Sequence, residues 1–343
     1  MTNQFSTCVT IPVYNRPDQV QKLCSSLEKQ LDSDTVLLLV DDGSADEASR
    51  IFREEISGKN NLIHYVRHQQ NQGIAAARNT ALAWCRSRNI DLVIMVDSDC
   101  EIPDDFVAKH IELHRAYPEV ACFGGGVQGI GKGYWAEIDK IMSWAHVVPT
   151  GPVREFVKPY CPPTANISFK MKYLPDEKQV FNELLPTGED VLLNHKLRSA
   201  GRKIYFSPEP TVIHHDRDKM NKVVSHVFSW GEHMYFIQLG GYFSDRCFKL
   251  WYRIIFFLSF LCAAPAFATL GTFLVLKQWA RSNPLYLFHF PVIFILWLLK
   301  AAAVLKAAAN PWACLRQPGG ESAVDGKTPV TVRQTGELDE VKN

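Results

Sequence analysis

The sequence lacks most of the features that announce a secreted scaffold or a nucleic-acid binder. Its nine cysteines are scattered, odd in number and without a Cys-x-x-Cys pair. That excludes a regular disulfide framework and a cysteine-rich zinc site, and it suits reduced thiols. Charge of one sign is missing too: 37 Lys and Arg stand against 36 Asp and Glu, a formal net charge of +1. No long-range field is left to attract nucleic acid or an acidic polymer. Met1 to Cys8 lack the basic start and apolar run of a secretory signal, so the first part of the chain is expected to stay in the cytoplasm. Between Ile254 and Leu276, about 23 residues, charge is absent altogether, which is long enough to cross the hydrocarbon core of a bilayer. A second apolar run, Leu285 to Leu305, carries only Lys300, which can snorkel from a span or mark an interfacial helix.

What is present is a long chain with ample core material: 343 residues, 47% of them hydrophobic. Short runs rich in Val, Ile and Leu begin at Thr7, Val36, Leu62, Asp91 and Val120. Between them, Val20, Leu23, Leu27 and Leu31 recur at helical spacing behind Asp18, a plausible N-cap, and Ile74, Ala77, Ala81 and Trp84 repeat the pattern. Strand alternating with helix implies an α/β fold with a Rossmann-like, mostly parallel sheet and helices on both faces. The expected division is one α/β domain over 1–235, with a half at about 7–127 read as nucleotide-binding and a continuation at about 128–235. A C-terminal membrane region over 236–310 follows, with helices at about 254–276 and 285–305, and then a disordered polar tail over 311–343.

Several strand ends carry groups suited to chemistry. Asp97-Ser98-Asp99 follows the apolar run Leu92 to Val96, and ligands of open parallel sheets bind beyond the carboxyl ends of strands. Two carboxylates there can hold a hard divalent cation against a diphosphate. Asp41-Asp42-Gly43-Ser44 ends a second run on the same edge. Singly, each pair reads as a solvated turn; together, two acidic strand ends need counter-charge, which a metal and a nucleotide supply. Ile11-Pro12-Val13-Tyr14-Asn15 closes the first strand and offers the Tyr14 ring to a base. Asn71-Gln72-Gly73 opens a helix whose Arg78 can reach a phosphate or base. Glu189-Asp190 precedes another helical run, where acids also favour the helix dipole. His214 and His215 read equally well as an exposed turn pair or as a ligand.

In order and spacing these pieces, with Ala77-Arg78-Asn79 and Thr187-Gly188-Glu189-Asp190, resemble the family-2 inverting glycosyltransferases of the GT-A fold over roughly Thr7 to His215. The resemblance implies an enzyme that moves a sugar from a nucleotide-diphosphate sugar, with UDP-sugars favoured, to a hydroxyl of a glycan or lipid-linked acceptor, as in the building of cell-envelope polysaccharide. It implies Pro12, Tyr14, Asp42 and, less directly, Asp41 at the base and ribose, Arg78 on the nucleotide side, and Asp97 at the ribose and metal. Asp99 is implied as a ligand of Mn2+ or Mg2+, with His214 as a further ligand whose neighbour His215 leaves the choice open. On the acceptor side it implies Asn166, Glu189 and, as the base, Asp190. The Gln-x-x-Arg-Trp motif that resembles processive synthases is missing, and Phe228-Ser229-Trp230-Gly231-Glu232 stands in that region. Transfer of one or a few sugars is therefore expected, by a domain on the cytoplasmic face of a membrane. The alternatives are a sugar-nucleotide nucleotidyltransferase and a non-catalytic membrane scaffold. Gly124 to Gly129 also spells G-x-G-x-x-G, but it follows a late strand and reads as a flexible loop, against a nicotinamide-dependent enzyme.

Overall fold

The computed structural model describes residues 5–156, 161–239 and 242–316. Every apolar run of the first half becomes a strand: β1 (Thr7–Val13), β2 (Thr35–Asp41), β3 (Ile63–Arg67), β4 (Leu92–Val96) and, after the two-residue β5 (Cys100–Glu101), β6 (Val120–Ile130). The helices α1 (Pro17–Glu28), α2 (Asp46–Arg50), α3 (Ile74–Ser87), α4 (Phe106–Ala116) and α5 (Tyr134–Trp144) lie between or after them. α1 starts one residue before the expected cap: Pro17 occupies the first turn, where its missing N–H costs nothing, and Asp18 sits inside it. The chain continues through β7 (Arg154–Glu155), β8 (Asn166–Lys170), α6 (Glu189–Ser199), β9 (Lys203–His215), α7 (Met220–Met234), α8 (Leu250–Ala280) and α9 (Phe290–Ala309).

Among the described residues the strands form one nine-stranded sheet in the order β3-β2-β1-β4-β8-β6-β9-β5, with β7 on β9. β1 to β4 pair in parallel as the periodicity implies. The sheet is nonetheless mixed, because β8 enters antiparallel between β4 and β6. All residues of β1, β4 and β8 are buried, so apolar content alone sets their place and not their direction. The glycine run expected as a loop lies inside β6. A Cβ on Gly125 would fall 2.2 Å from Asn166 Nδ2, and one on Gly126 2.5 Å from Pro208 O. These glycines admit close neighbours across the sheet.

α8 and, with its leading turn, Pro284–Ala309 are long and apolar enough to cross a membrane by length and composition. They pack on each other, and α9 also packs along α7. The turn end is held by Trp279, whose Nε1 donates to Ile141 O at 3.1 Å, and by Lys140 Nζ, which donates to Tyr286 OH at 3.0 Å. Midway, Gly231 lets the backbones of α7 and α9 approach: a Cβ there would sit 2.4 Å from Lys300 O. Leu276, Trp279, Ile293 and Leu296 join the main core, while Leu258, Phe273 and Phe288 remain 60%, 58% and 81% exposed on the outer side. Of the tail, the structure describes residues up to Arg316, and the disorder expected further on lies outside the described residues.

Candidate active site

The carboxyl ends of β1 and β4, the first turns of α3 and the start of α6 meet in one region through ionic contacts. Arg78, in the second turn of α3, is 4% exposed and spans two elements: Nη2 bonds Asp97 Oδ1 at 2.9 Å and Nη1 bonds Glu189 Oε1. Burial alone would lower its pKa, but Asp97 and Glu189 outweigh it and hold the guanidinium charged. The acids respond in the opposite sense. Burial pushes Glu189 up to about 7 against the lowering effect of Arg78, with Asp190 adding to the rise. Burial likewise raises Asp190, opposed by Arg78. Gly188, at φ 82, makes the tight entry to α6 that brings the Glu189-Asp190 pair to the helix N-terminus. Val191 N donates to Asp190 Oδ1 at 2.7 Å, and a backbone hydrogen bond from Thr164 also reaches this carboxylate.

Asp99 lies on the adjoining side. Its Oδ2 takes Arg16 Nη1 at 2.9 Å and its Oδ1 is 3.4 Å from His214 Nε2. The alternation of β9 separates the two histidines: His214 is buried toward Asp99, and His215 is turned outward to Glu101 at 2.7 Å. Behind His214, Asp216 Oδ1 meets its Nδ1 at 3.0 Å and accepts Trp144 Nε1 at 2.8 Å, while Asp216 Oδ2 is buried with no partner. Gly129 makes the room, since a Cβ there would lie 1.9 Å from that oxygen. Burial acts to lower the His214 pKa, and Asp216 and Asp99 together reverse it.

This donor set fits a hard divalent cation. A carboxylate on Nδ1 fixes the imidazole with Nε2 outward, the arrangement found behind metal-ligating histidines, and the exposed Arg16 guanidinium already supplies positive charge to Asp99. Among the described residues no three His, Cys, Asp or Glu side chains form a metal site by themselves. Asp99 and His214 could thus hold a cation only with oxygens from a phosphate ligand and water, the usual manner for Mg2+. A cleft of roughly 810 Å3 opens from Asp99 and His214 along Arg217, Asn221, Lys222 and Ser225 of the β9–α7 turn and α7.

The remaining expected residues divide by strand parity. Tyr14, half-exposed beyond β1, is free to stack on a ring, whereas Pro12 is buried in the strand. Asp42 turns to the start of α3, where it accepts Gln72 N at 2.8 Å and Gly73 N at 2.7 Å and pairs with His68 Nδ1 at 2.8 Å. Asp41 points inward to Ser44, Ser49 and Tyr65, whose hydrogen bonds outweigh its burial and lower its pKa. Asn166 is fully buried: Nδ2 donates to Gly126 O and Pro210 O, both at 2.9 Å, and Oδ1 faces His110 Nε2 at 3.0 Å. Its side chain is spent inside the sheet and does not line the cleft. Arg16 and Asp216 were given no role by the motifs, although each stands within two residues of one.

Residues 8–170 match the model of Glycosyl transferase family 2. The chain is 27% identical over 232 residues to a pre-mycofactocin glycosyltransferase of Mycobacterium tuberculosis, covering 65% of this chain and 45% of that protein. It therefore spans less than half the length of this curated relative. Over 124 residues it is 30% identical to an undecaprenyl-phosphate 4-deoxy-4-formamido-L-arabinose transferase of Pseudomonas fluorescens, covering 35% of this chain and 36% of that one. Among solved structures, a Pyrobaculum calidifontis mannosyltransferase in complex with GDP-Man and Mn2+ superimposes with a TM-score of 0.54 at 17% identity, covering 91% of this chain and 88% of its own. That likeness is one of fold. The chain thus has a GT-A fold, and residues 8–170 carry a domain that matches glycosyl transferase family 2.

Proposed function

We propose that this enzyme transfers a sugar, with inversion and one or a few units at a time, from a nucleotide-diphosphate sugar to a hydroxyl of a glycan or lipid-linked acceptor at a membrane. The observation that carries the reading is the single guanidinium of Arg78 joining Asp97, on the donor side, to Glu189 beside Asp190. This supports a reading in which donor and acceptor groups meet at one part-buried cluster. Tyr14 and the Asp42 loop would take the base, with a UDP-sugar favoured by the motif resemblance, and Asp97 the ribose. A divalent cation, Mn2+ or Mg2+, would be held by Asp99 and His214 and would supply charge to the departing diphosphate; the Mn2+ in the Pyrobaculum structure supports this.

On the acceptor side Asp190 takes the hydroxyl proton as the acceptor oxygen forms its bond to the anomeric carbon. The bond from that carbon to the phosphate oxygen breaks, and its electron pair leaves on the nucleoside diphosphate. Burial raises Asp190, which makes it a stronger base than a solvated aspartate, and Arg78 opposes that rise. The hairpin of α8 and α9 would place this site at the cytoplasmic face of a membrane. The name of the Pseudomonas relative supports a lipid-linked acceptor.

The test is nucleoside diphosphate release by the full chain in detergent, over a panel of nucleotide sugars, with Mn2+, Mg2+ or a chelator. Release from one donor should fall at least about 100-fold in Asp99→Ala, in Asp190→Asn and on chelation. Wild-type turnover by Asp190→Asn, or pyrophosphate as the product, would sink the reading.

A further inference from the structure

The segment that follows the hairpin returns to the catalytic cluster. After α9 a short turn, Pro311–Cys314, carries the chain back over the catalytic domain, and Arg316 N donates to Leu184 O at 2.9 Å. Its side chain runs on to the loop that opens α3: Nη2 donates to Asn71 Oδ1 at 2.6 Å and to Asn71 O at 3.1 Å. The guanidinium lies directly on Gly73, at φ +94, where a Cβ would meet Nη1 at 1.7 Å. Two residues earlier, Cys314 O is 3.0 Å from His233 Nε2, and His233 Nδ1 is 3.3 Å from Thr187 Oγ1.

The loop Asn71–Gly73 is therefore gripped from both sides. Asp42 holds the amides of Gln72 and Gly73 from within, and Arg316 holds Asn71 and covers Gly73 from outside. Leu184, which accepts from Arg316 N, and Thr187, linked to Cys314 through His233, lead straight into Glu189 and Asp190. One arginine beyond the hairpin thus fastens the loop on the base side to the stretch that delivers the acceptor-side acids.

We propose that Arg316 is a positioning residue of the donor site: it fixes the Asn71–Gly73 loop at the height a nucleotide base requires. The proposal rests on the reading of Asp42 as part of that site. One guanidinium nitrogen, Nη2, bonds both oxygens of Asn71 while the other, Nη1, lies over Gly73, a planar spread that a lysine ammonium does not reproduce.

The experiment measures the affinity of the full chain, in detergent with Mn2+, for UDP and for GDP, comparing wild type with Arg316→Ala, Arg316→Lys and Asp42→Ala. Thermal melts are run beside them to establish that each variant is folded. Loss of loop order should weaken binding about tenfold in Arg316→Ala, with Arg316→Lys between it and wild type, and turnover at saturating donor should stay within about twofold. If Arg316→Ala binds as wild type while Asp42→Ala does not, the assignment of Arg316 is overturned and the donor site stands. If wild type binds neither nucleotide, or Asp42→Ala binds as wild type, the donor-site reading itself falls and takes this one with it.

Discussion

Arg78 answers for two carboxylates from inside the protein, and its loss would leave both without their nearest positive charge. Glu189 and Asp190 already stand above their ordinary values with the guanidinium in place, which opposes the rise. Arg78→Gln should therefore raise them further. A base with a higher pKa needs a higher pH to be free of its proton, so the acidic limb of kcat/KM moves to higher pH. A pH–rate profile checks this, and a limb that stays in place would show that Asp190 does not titrate in the catalytic step. At this scale the sequence exposed the acids Asp97, Asp99 and Asp190, because strand ends and motif order locate them. It ranked Asp42 above Asp41 but left His214 open against His215, since which of those two adjacent side chains faces Asp99 is settled by strand parity. Arg16 and Asp216 were hidden for a related reason: their roles depend on where a side chain points after the motif has ended.

Elements were legible where their period was clean. β1 to β4 and α3 appear where the apolar spacing places them. The direction of β8 and the strand character of the Gly124–Gly129 run were not, because both follow from what the rest of the sheet leaves open. The seam between β8 and α4 carries its own prediction. Asn166 Nδ2 donates to two carbonyls, so its Oδ1 accepts from His110 Nε2 and leaves Nδ1 to accept from Ser168 Oγ at 3.0 Å. That ring is neutral, and burial pushes its pKa down to about 4. An unfolded chain takes up this proton near pH 6.5 and the folded one only near 4, so stability is full above about 6.5 and falls with pH through that window, by about 3 kcal/mol in all. Denaturant titrations of wild type and His110→Gln from pH 7 to 4 should diverge, the variant losing less. Parallel pH dependence in the two proteins would remove His110 from the account.

The whole molecule departs from a picture of a catalytic domain with a detachable anchor. Leu276, Trp279, Ile293 and Leu296 lie in the same core as the sheet, and Gly231 is recessed to accept α9. A chain ended after Lys249 should therefore expose apolar faces of α5 and α7, lose cooperative melting and aggregate. Expression with a thermal melt checks it, and a soluble fragment with a sharp transition and undiminished nucleotide affinity would contradict it. The two apolar helices were visible in the sequence as uncharged runs. Their seat on the domain was not, because it depends on pairings as distant as Trp279 with Ile141 and Arg316 with Asn71.

Those two pairings lie at opposite ends of the hairpin. An enzyme tethered by a loose stalk sweeps a volume and can visit substrates at many distances from its mooring. One bolted to its anchor at both ends has no such sweep. On the membrane reading its cleft travels at one fixed altitude, and it meets a lipid-borne acceptor only by lateral diffusion in the sheet of lipid. Which hydroxyl receives the sugar would then be decided in part by how far that hydroxyl stands above the bilayer.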